Sequence, residues 1–291
     1  MVARAGSCAV VTPFAEVIGD PIAQSKSPRI HGFWLEKLGI DAAYRAHLVA
    51  PDGVGAYLAD RRTDPDWRGC NVTMPHKQAV QPFLDTVSRT ASRIGAINTV
   101  YVQQDRLIGD NTDGEGFLEP LTQWLGQTHL FRMARVLGAG GAARAITAAL
   151  VDHGFTLVVA GRDAAKCETI LAQLPGEHHA TTLDHFADPT DFAFDDRDGL
   201  FDLVVNTTPL GMAGREPLRF DFSHVPPGSI VYDIVTSPVR TPLLIEAETR
   251  GFRTIDGLAM LIGQAAAAFR LFFGADAPRE HDAELRALLE S

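Results

Sequence analysis

The segment VLGAGGAAR at residues 136–144 restricts the possible folds of this chain more than any other part of its sequence. It follows a short apolar run and opens an apolar stretch, Ala142–Asp152, with helical spacing. Gly138, Gly140 and Ala143 occupy a G-x-G-x-x-A pattern, in which the first glycine allows a tight turn and the second lets the backbone approach a pyrophosphate. The free N–H groups at the start of the helix favour an anion. The segment predicts a dinucleotide-binding turn, with a tight strand–helix turn that holds no ligand as the alternative.

Alternating strand and helix patterns surround this turn. After it, Phe155–Ala160 is predicted to be a strand and Ala164–Leu174 a helix, and further apolar runs predict buried strands. Before it, short strands again alternate with helices, and Ile97–Val102 and Arg106–Ile108 are predicted to form a strand pair joined by a polar turn. Such alternation is typical of α/β proteins with a parallel, doubly wound sheet. A chain of 291 residues accommodates two such domains.

The composition is typical of a soluble globular protein. Hydrophobic residues make up 46% of the chain, charged residues 21%, and the formal net charge is −10. Because an acidic chain binds polyanions poorly, we expect neither nucleic acid nor an anionic membrane surface as a partner. The apolar stretch Leu258–Phe273 contains Gln264 and Arg270, so it is predicted to be a buried helix rather than a membrane span.

The cysteines Cys8, Cys70 and Cys167 are odd in number and far apart. This spacing favours neither a disulfide framework nor a zinc site. His178 and His179 are predicted to lie in a polar loop without further ligands, so no metal is expected. The short apolar run near the N-terminus is too brief for a secretory signal. We therefore expect the reducing environment of the cytoplasm.

The residues after the strand Phe155–Ala160 bear on the choice between NAD and NADP. An acidic residue there accepts a hydrogen bond from the ribose 2′-hydroxyl, whereas an arginine accommodates a 2′-phosphate. The sequence continues with Gly161, Arg162 and Asp163, and Lys166 follows. Arg162 and Lys166 favour NADP, whereas the carboxylate of Asp163 would repel the phosphate. NADP is predicted, with NAD as the alternative.

The loop GDPIAQSKSP contains two serines at a predicted helix start. Ser27 is predicted to be the N-cap, with Pro28 at the first helical position. Hydroxyls and free N–H groups in such a place can hold a carboxylate. Capping by Ser27 is the simpler interpretation, but it does not account for Ser25.

Three further loops place small polar residues at the ends of predicted strands. These loops are NVTMPHK with Asn71, Thr73 and Lys77, AINT with Asn98, and GDNTDG with Asp110 and Asp113. Taken singly, each residue is more often a cap, a turn residue or a surface charge. As a group they suit a small hydroxylated anion, and a lysine–aspartate pair can perform acid–base chemistry on a hydroxyl or carbonyl.

Together these segments resemble the shikimate dehydrogenase family. The stretches VIGDPIAQSKSP, NVTMPHK, AINT, GDNTDG, GAGGAAR, NTTPLGM, YDIV, TPLL and DGLAMLIGQAA follow that family's motifs in order, from about Val17 to Ala267. The resemblance implies a substrate-binding α/β domain at residues 1–115, completed by C-terminal helices at 258–291, and a Rossmann domain at 116–257. It further implies reversible NADP-dependent reduction of 3-dehydroshikimate to shikimate, in chorismate and aromatic amino acid biosynthesis. The oligomeric state is expected to be a monomer or a homodimer, and the sequence does not distinguish them.

The resemblance also assigns roles to individual residues. Lys77 is implied to be the catalytic lysine and Asp113 its partner. The residues implied to contact substrate are Ser25, Ser27, Thr73, Asn98, Asp113, Thr236 and Gln264. Those implied to contact the cofactor are Gly138, Ala139, Gly140, Gly141, Ala142, Arg162 and Lys166, with Thr207, Met212, Gly257 and Met260 bordering the nicotinamide.

Two positions depart from the family pattern. Thr236 stands where members usually carry a tyrosine that touches substrate, and Gly161, Arg162 and Asp163 replace a usual Asn-Arg-Thr. These departures leave open a quinate/shikimate dehydrogenase, or a paralogue that uses NAD or a related hydroxylated cyclohexene carboxylate. A regulator that binds dinucleotide and metabolite without turnover is the non-enzymatic alternative, and the lysine–aspartate pair argues against it. The SKSP and GDNTDG loops argue against a folate-type dehydrogenase.

Overall fold

The computed structural model describes residues 12–192, 194 and 199–291. Cys8 and the rest of the first eleven residues of the predicted substrate domain lie outside the described residues. Cys70 and Cys167 are buried free thiols. Among the described helices, none is long and apolar enough to cross a membrane.

The first half of the described chain forms a mixed sheet of six strands flanked by helices. Its elements are β1 (Phe14–Gly19), α1 (Ser27–Leu38), β2 (Ala43–Leu48), α2 (Val54–Arg61), β3 (Trp67–Val72), β4 (Thr86–Val87), α3 (Arg89–Ile94), β5 (Thr99–Gln103) and β6 (Arg106–Asp110). The strand order is β2-β1-β3-β5-β6-β4, and β5 runs antiparallel to β3 and β6. Gln104 and Asp105, with φ of 51° and 59°, form the turn between β5 and β6. The predicted strand pair is therefore confirmed.

The second half forms a parallel sheet, again of six strands within the described residues. Its elements are α4 (Asp113–Leu118), α5 (Thr122–Leu125), β7 (Phe131–Leu137), α6 (Gly141–Asp152), β8 (Thr156–Gly161), α7 (Ala164–Leu171), β9 (His179–Thr182), α8 (Asp184–Ala187), β10 (Leu200–Asn206), β11 (Ile230–Asp233), α9 (Pro242–Thr249) and β12 (Arg253–Ile255). The strand order β12-β11-β10-β7-β8-β9 is that of a doubly wound Rossmann sheet. The predicted α/β fold is confirmed, and its ligand crevice lies at the carboxyl ends of β7 and β10, where the strand order reverses.

Two C-terminal helices, α10 (Gly257–Phe273) and α11 (Asp282–Glu290), pack on the first half of the chain. Helix α10 contacts β3, β5 and α1, and α11 contacts α1. Phe269 and Leu285 join the apolar core that also contains Val17 of β1 and Trp34 of α1. Helix α10 also crosses α4 closely, because a Cβ on Gly116 would lie 2.3 Å from the backbone nitrogen of Gln264. This crossing fixes the start of α4 against the first turns of α10.

The start of α1 differs from its prediction. The helix begins at Ser27 with Lys26 as its N-cap, so the prediction of Ser27 as N-cap is wrong. Of the described side chains, none caps this helix. The backbone of Lys26 is already helical, with φ −83° and ψ −10°, which moves the cap one residue back. The N–H of Ser27 donates to the Ser25 Oγ at 3.3 Å, so Ser25 satisfies a donor at this helix start.

The domain division at residue 115 stays a prediction. That position falls inside α4, which carries Asp113 and packs against both α6 and α10. A boundary drawn there separates residues of a single helix.

Candidate functional site

A cleft between the two sheets gathers the side chains that the sequence implied for substrate. It encloses about 450 Å³ and is lined by residues of both halves of the chain. The implied catalytic and substrate-binding residues that line it are Ser25, Ser27, Thr73, Lys77, Asn98, Asp113, Thr236 and Gln264. Most follow a strand or begin a helix, and the carboxyl ends of parallel strands meet at one edge of a sheet.

Lys77 and Asp113 form an ion pair in this cleft. The Lys77 Nζ lies 2.5 Å from the Asp113 Oδ2, and the two side chains are 18% and 7% exposed. The N–H of Ile97 donates to the Lys77 carbonyl at 2.7 Å, and the N–H of Asp113 donates to the Asn111 Oδ1 at 3.0 Å. Both backbones are therefore held in place. A paired amine and carboxylate can hold and transfer a proton.

Asn98 binds the second carboxylate oxygen of Asp113. Its Nδ2 donates to the Asp113 Oδ1 at 2.8 Å, and its Oδ1 accepts from the N–H of Thr112 at 2.9 Å. Asn98 is 2% exposed, so these bonds replace most of its contact with water. Asn98 thus orients the carboxylate besides lining the cleft.

The serine loop lies at another part of the same cleft. Ser27 is buried and Ser25 is half-buried, and both residues line the cleft. The Nζ of Lys26, between them, donates to the Leu289 carbonyl of α11 at 2.5 Å. Burial lowers the pKa of Lys26, Arg29 lowers it further, and Glu290 opposes the shift.

The glycine-rich turn adopts the conformation that its sequence predicts. Gly138 has a φ of +123°, and a Cβ there would lie 2.2 Å from the Thr207 Oγ1. A Cβ on Gly140 would meet no atom of the described residues within 4 Å, so the backbone is open at this point. Gly141 begins α6, and its Cβ would lie 3.3 Å from the Lys77 Cδ. The turn of the second sheet therefore lies directly against the lysine of the first.

The residues implied to border the nicotinamide lie in two places, three of them in the cleft and one under the glycine-rich turn. Met212, Gly257 and Met260 line the cleft together with Ala142. Thr207 lies beneath the glycine turn and donates through its Oγ1 to the Leu137 carbonyl at 2.9 Å.

Arg162 lies at the end of β8, apart from the main cleft. It lines a second cavity of about 270 Å³ with Thr182 and Arg219. Within the part of the chain that the structure describes, Arg162 and Lys166 are exposed and have no hydrogen-bond or ion-pair partner. The Asp163 Oδ1 accepts from the N–H of Ala165 at 3.0 Å and caps α7. The carboxylate that argued against NADP is thus bound to a helix N-terminus.

The cleft also contains residues that the sequence did not indicate as site residues. Met74, Pro209, Arg215 and Leu261 line it. Met74 lies within the NVTMPHK motif, so that motif could have indicated it as a site residue. Arg215 lies in a turn after the NTTPLGM motif, where no periodicity or recognised spacing marks it.

Two family models match this chain. Residues 17–100 match the model described as the shikimate dehydrogenase substrate binding domain. Residues 257–284 match the one described as the shikimate 5'-dehydrogenase C-terminal domain. These segments carry most of the cleft residues that come from the first half and from α10.

Relatives match over nearly the whole length. A protein of Sphingopyxis alaskensis named shikimate dehydrogenase (NADP(+)) is 50% identical over 280 residues, which are 96% of this chain and 97% of that protein. The structure of shikimate 5-dehydrogenase from Thermus thermophilus in complex with NADP(H) and shikimate superposes with a TM-score of 0.81 at 32% identity, covering 96% of this chain and 100% of that one. Quinate dehydrogenase from Corynebacterium glutamicum in complex with NAD gives 0.80 at 30% identity, covering 95% and 99%.

Proposed function

This chain belongs to the shikimate dehydrogenase family, and we propose that it catalyses the reversible NADP(H)-dependent reduction of 3-dehydroshikimate to shikimate. It is an oxidoreductase that acts on a CH–OH group. One observation carries the proposal: Lys77, paired with Asp113, lies against Gly141 at the start of the helix that follows the glycine-rich turn. A proton-carrying group and a dinucleotide turn therefore face one cleft.

The residues around the turn fit a dinucleotide. The open space at Gly140 leaves room for a pyrophosphate, and the first N–H groups of α6 have no partner within the helix. Arg162 is exposed where a 2′-phosphate would lie, and Asp163 is bound as a helix cap. These features support NADP. When bound, NADPH supplies the hydride that reduces the substrate's carbonyl carbon.

The polar residues of the cleft support a hydroxylated carboxylate as substrate. Ser25 and Ser27 offer hydroxyls for the carboxylate, and Thr73 offers one for a ring hydroxyl. Gln264 donates through its Nε2 to the Leu261 carbonyl at 2.9 Å, which leaves its Oε1 to accept from the ligand. The reacting oxygen belongs beside the Lys77 Nζ.

In this mechanism Lys77 carries the proton. During reduction its Nζ donates a proton to the oxygen of the former carbonyl, and during oxidation the Nζ takes the proton of the substrate hydroxyl. The Asp113 Oδ2 accepts from the Nζ and keeps the amine in place, while Asn98 holds the other oxygen of that carboxylate. General acid–base catalysis of this kind contributes about 10²–10⁴-fold to a rate.

The decisive test measures turnover of NADP and of NAD with shikimate and with quinate. We expect the wild type to be fastest with shikimate and NADP, Lys77→Ala to lose at least about 10²-fold in kcat, and the surface control Lys37→Ala to match wild type. Absence of turnover with all four combinations would overturn the proposed function. Turnover that survives in Lys77→Ala would overturn the mechanism.

The same assay decides the alternatives that Thr236 and Asp163 raised. Faster turnover of quinate than of shikimate would reassign the substrate, since Thr236 lines the cleft at the position of the usual tyrosine. Faster turnover with NAD would overturn the role given to Arg162. A quinate dehydrogenase in complex with NAD is among the structural neighbours, so the measurements with quinate and with NAD can each distinguish these alternatives.

We further propose that the enzyme works in the cytoplasm as a monomer or homodimer and does not bind nucleic acid. The free thiols of Cys70 and Cys167 support a reducing compartment, and the net charge of −10 disfavours polyanions. Sedimentation velocity over a range of concentrations tests the oligomeric state, and a higher oligomer would contradict it.

A further inference from the structure

A buried chain of hydrogen bonds runs beneath the cleft and ends on Asp113. The hydroxyl of Tyr44 donates to the Asn71 Oδ1 at 2.7 Å, and the Asn71 Nδ2 donates to the Thr99 Oγ1 at 3.1 Å. The Thr99 Oγ1 in turn donates to the Asn98 Oδ1 at 2.8 Å. The Asn98 Nδ2 then donates to the Asp113 Oδ1 at 2.8 Å. Four side chains from β2, β3, β5 and the loop before β5 are thereby connected to the carboxylate that holds Lys77.

The direction of this chain follows from its fixed donors. The backbone N–H of Thr112 can only donate, and it points at the Asn98 Oδ1 at 2.9 Å. The Asn98 amide therefore has one orientation, with its Nδ2 toward Asp113. With the Asn98 oxygen as acceptor, the Thr99 hydroxyl donates to it and accepts from Asn71.

The far end of the chain is anchored in an aromatic cluster. Tyr44 stacks on His31 with ring centroids 3.9 Å apart and an interplanar angle of 3°. Burial raises the pKa of Tyr44 well above its usual value, Cys70 adds to the rise, and the Ser27 hydroxyl opposes it. The phenol therefore keeps the proton that it donates to Asn71, and it also lies beside one of the carboxylate-binding serines.

We propose that Thr99 is a positioning residue for the reaction, acting through Asn98 on Asp113 and so on Lys77. The inference rests on the proposed function and deepens it. Thr99 is fully buried and, of the described residues, is not one that lines the cleft, so it acts without touching substrate. Its hydroxyl links the Asn71 and Asn98 amides, and loss of that link leaves the Asn71 Nδ2 without its side-chain acceptor. A misplaced acid–base pair costs rate, because a shift of about 1 Å can lower turnover by about 10²-fold.

The test compares Thr99→Val, which keeps the shape and removes the hydroxyl, with Thr99→Ser, which keeps the hydroxyl. Thr147→Val is the matched control, because Thr147 is equally buried and, among the described residues, its hydroxyl bonds only the Arg144 carbonyl of its own helix, at 3.0 Å. We expect Thr99→Val to lower kcat for shikimate about tenfold with an unchanged KM for NADP. Thr99→Ser should stay within about threefold of wild type, and Thr147→Val should match wild type.

The outcomes separate this inference from the proposed function. If wild type does not turn over shikimate, the proposed function fails. If wild type is active and Thr99→Val equals it, or Thr99→Ser is as impaired as Thr99→Val, the inference alone is overturned. If Thr99→Val is unfolded at the assay temperature, Tyr44→Phe decides: a fall in kcat with unchanged KM for NADP supports the chain, and wild-type kcat overturns it.

Discussion

Gly141 begins helix α6 directly against Lys77, such that a Cβ on Gly141 would lie 3.3 Å from the Lys77 Cδ. This contact joins the second half of the chain to the loop after β3 in the first half, at the point where the proposed hydride and proton transfers meet. Because Lys77 lies against the first turn of α6, both halves of the chain determine its position.

Gly141→Ala should therefore impair catalysis without harming the fold. The added methyl group meets the lysine stem at a distance tighter than ordinary van der Waals contact, so Lys77 must shift by a few tenths of an ångström. We expect kcat to fall by roughly tenfold, since acid–base geometry is sensitive at that scale. Gly32→Ala in α1 is the control, because a Cβ there would meet no atom within 4 Å in the part of the chain that the structure describes. An unchanged kcat in Gly141→Ala would show that the contact is not restrictive.

Arg162→Gln should change cofactor choice. Arg162 is exposed at the end of β8 and supplies the positive charge that a 2′-phosphate requires. We expect the KM for NADP to rise about tenfold, which corresponds to about 1.4 kcal/mol, and the KM for NAD to stay the same. Initial rates with each cofactor at saturating shikimate measure this, with the surface variant Arg250→Gln as the control. An equal rise in both KM values would mean that Arg162 does not recognise the phosphate.

Asp163→Ala should affect stability rather than cofactor choice. The Asp163 carboxylate accepts from the N–H of Ala165 and caps α7, so its loss should lower the free energy of unfolding by about 1 kcal/mol. Urea denaturation measures this loss. A clear fall in the KM for NADP would instead revive the sequence-based argument that this carboxylate repels the phosphate.

His31 should make the fold sensitive to acid. It is fully buried, and among the described atoms neither ring nitrogen has a hydrogen-bond partner. Burial lowers the pKa of His31 from 6.5 to about 3. Between these values the unfolded chain binds the proton and the folded chain does not, so this contribution is fully present above pH 6.5 and is lost as the pH falls toward 3.

The measurement is the free energy of unfolding from about pH 7 to about pH 4 in wild type and His31→Phe. We expect His31 to contribute a slope of up to about 1.4 kcal/mol per pH unit, which the phenylalanine variant lacks. Replacement of the exposed His185 by phenylalanine serves as the control and should leave the slope unchanged. If the free energy of unfolding changes equally with pH in wild type and in His31→Phe, His31 is not the source of the acid sensitivity.

Local sequence was sufficient wherever a structure depends on near neighbours. The turn at Gly138 and Gly140 was predictable because its strand, glycines and helix are contiguous and each obeys a local steric rule. The pair β5–β6 was predictable for the same reason. The loops that hold Ser25, Lys77 and Asp113 were recognisable as motifs, and all three contribute to one cleft.

Contacts between residues that are distant in the chain could be identified only in the folded structure. Lys77 and Asp113 are 36 positions apart, and they come within 2.5 Å because the sheet places the ends of β3 and β6 on either side of the start of β5. Asp163 was interpreted from the sequence as a charge near the cofactor, but the start of α7 uses it as a cap. Thr99 carried no signal of its own, because its importance lies in the two amides that the sheet places on either side of its hydroxyl. The elements and the chemical groups could therefore be predicted from local sequence. Which of these groups meet depends on how one sheet and its helices pack against the other, because those contacts exist only in the folded chain.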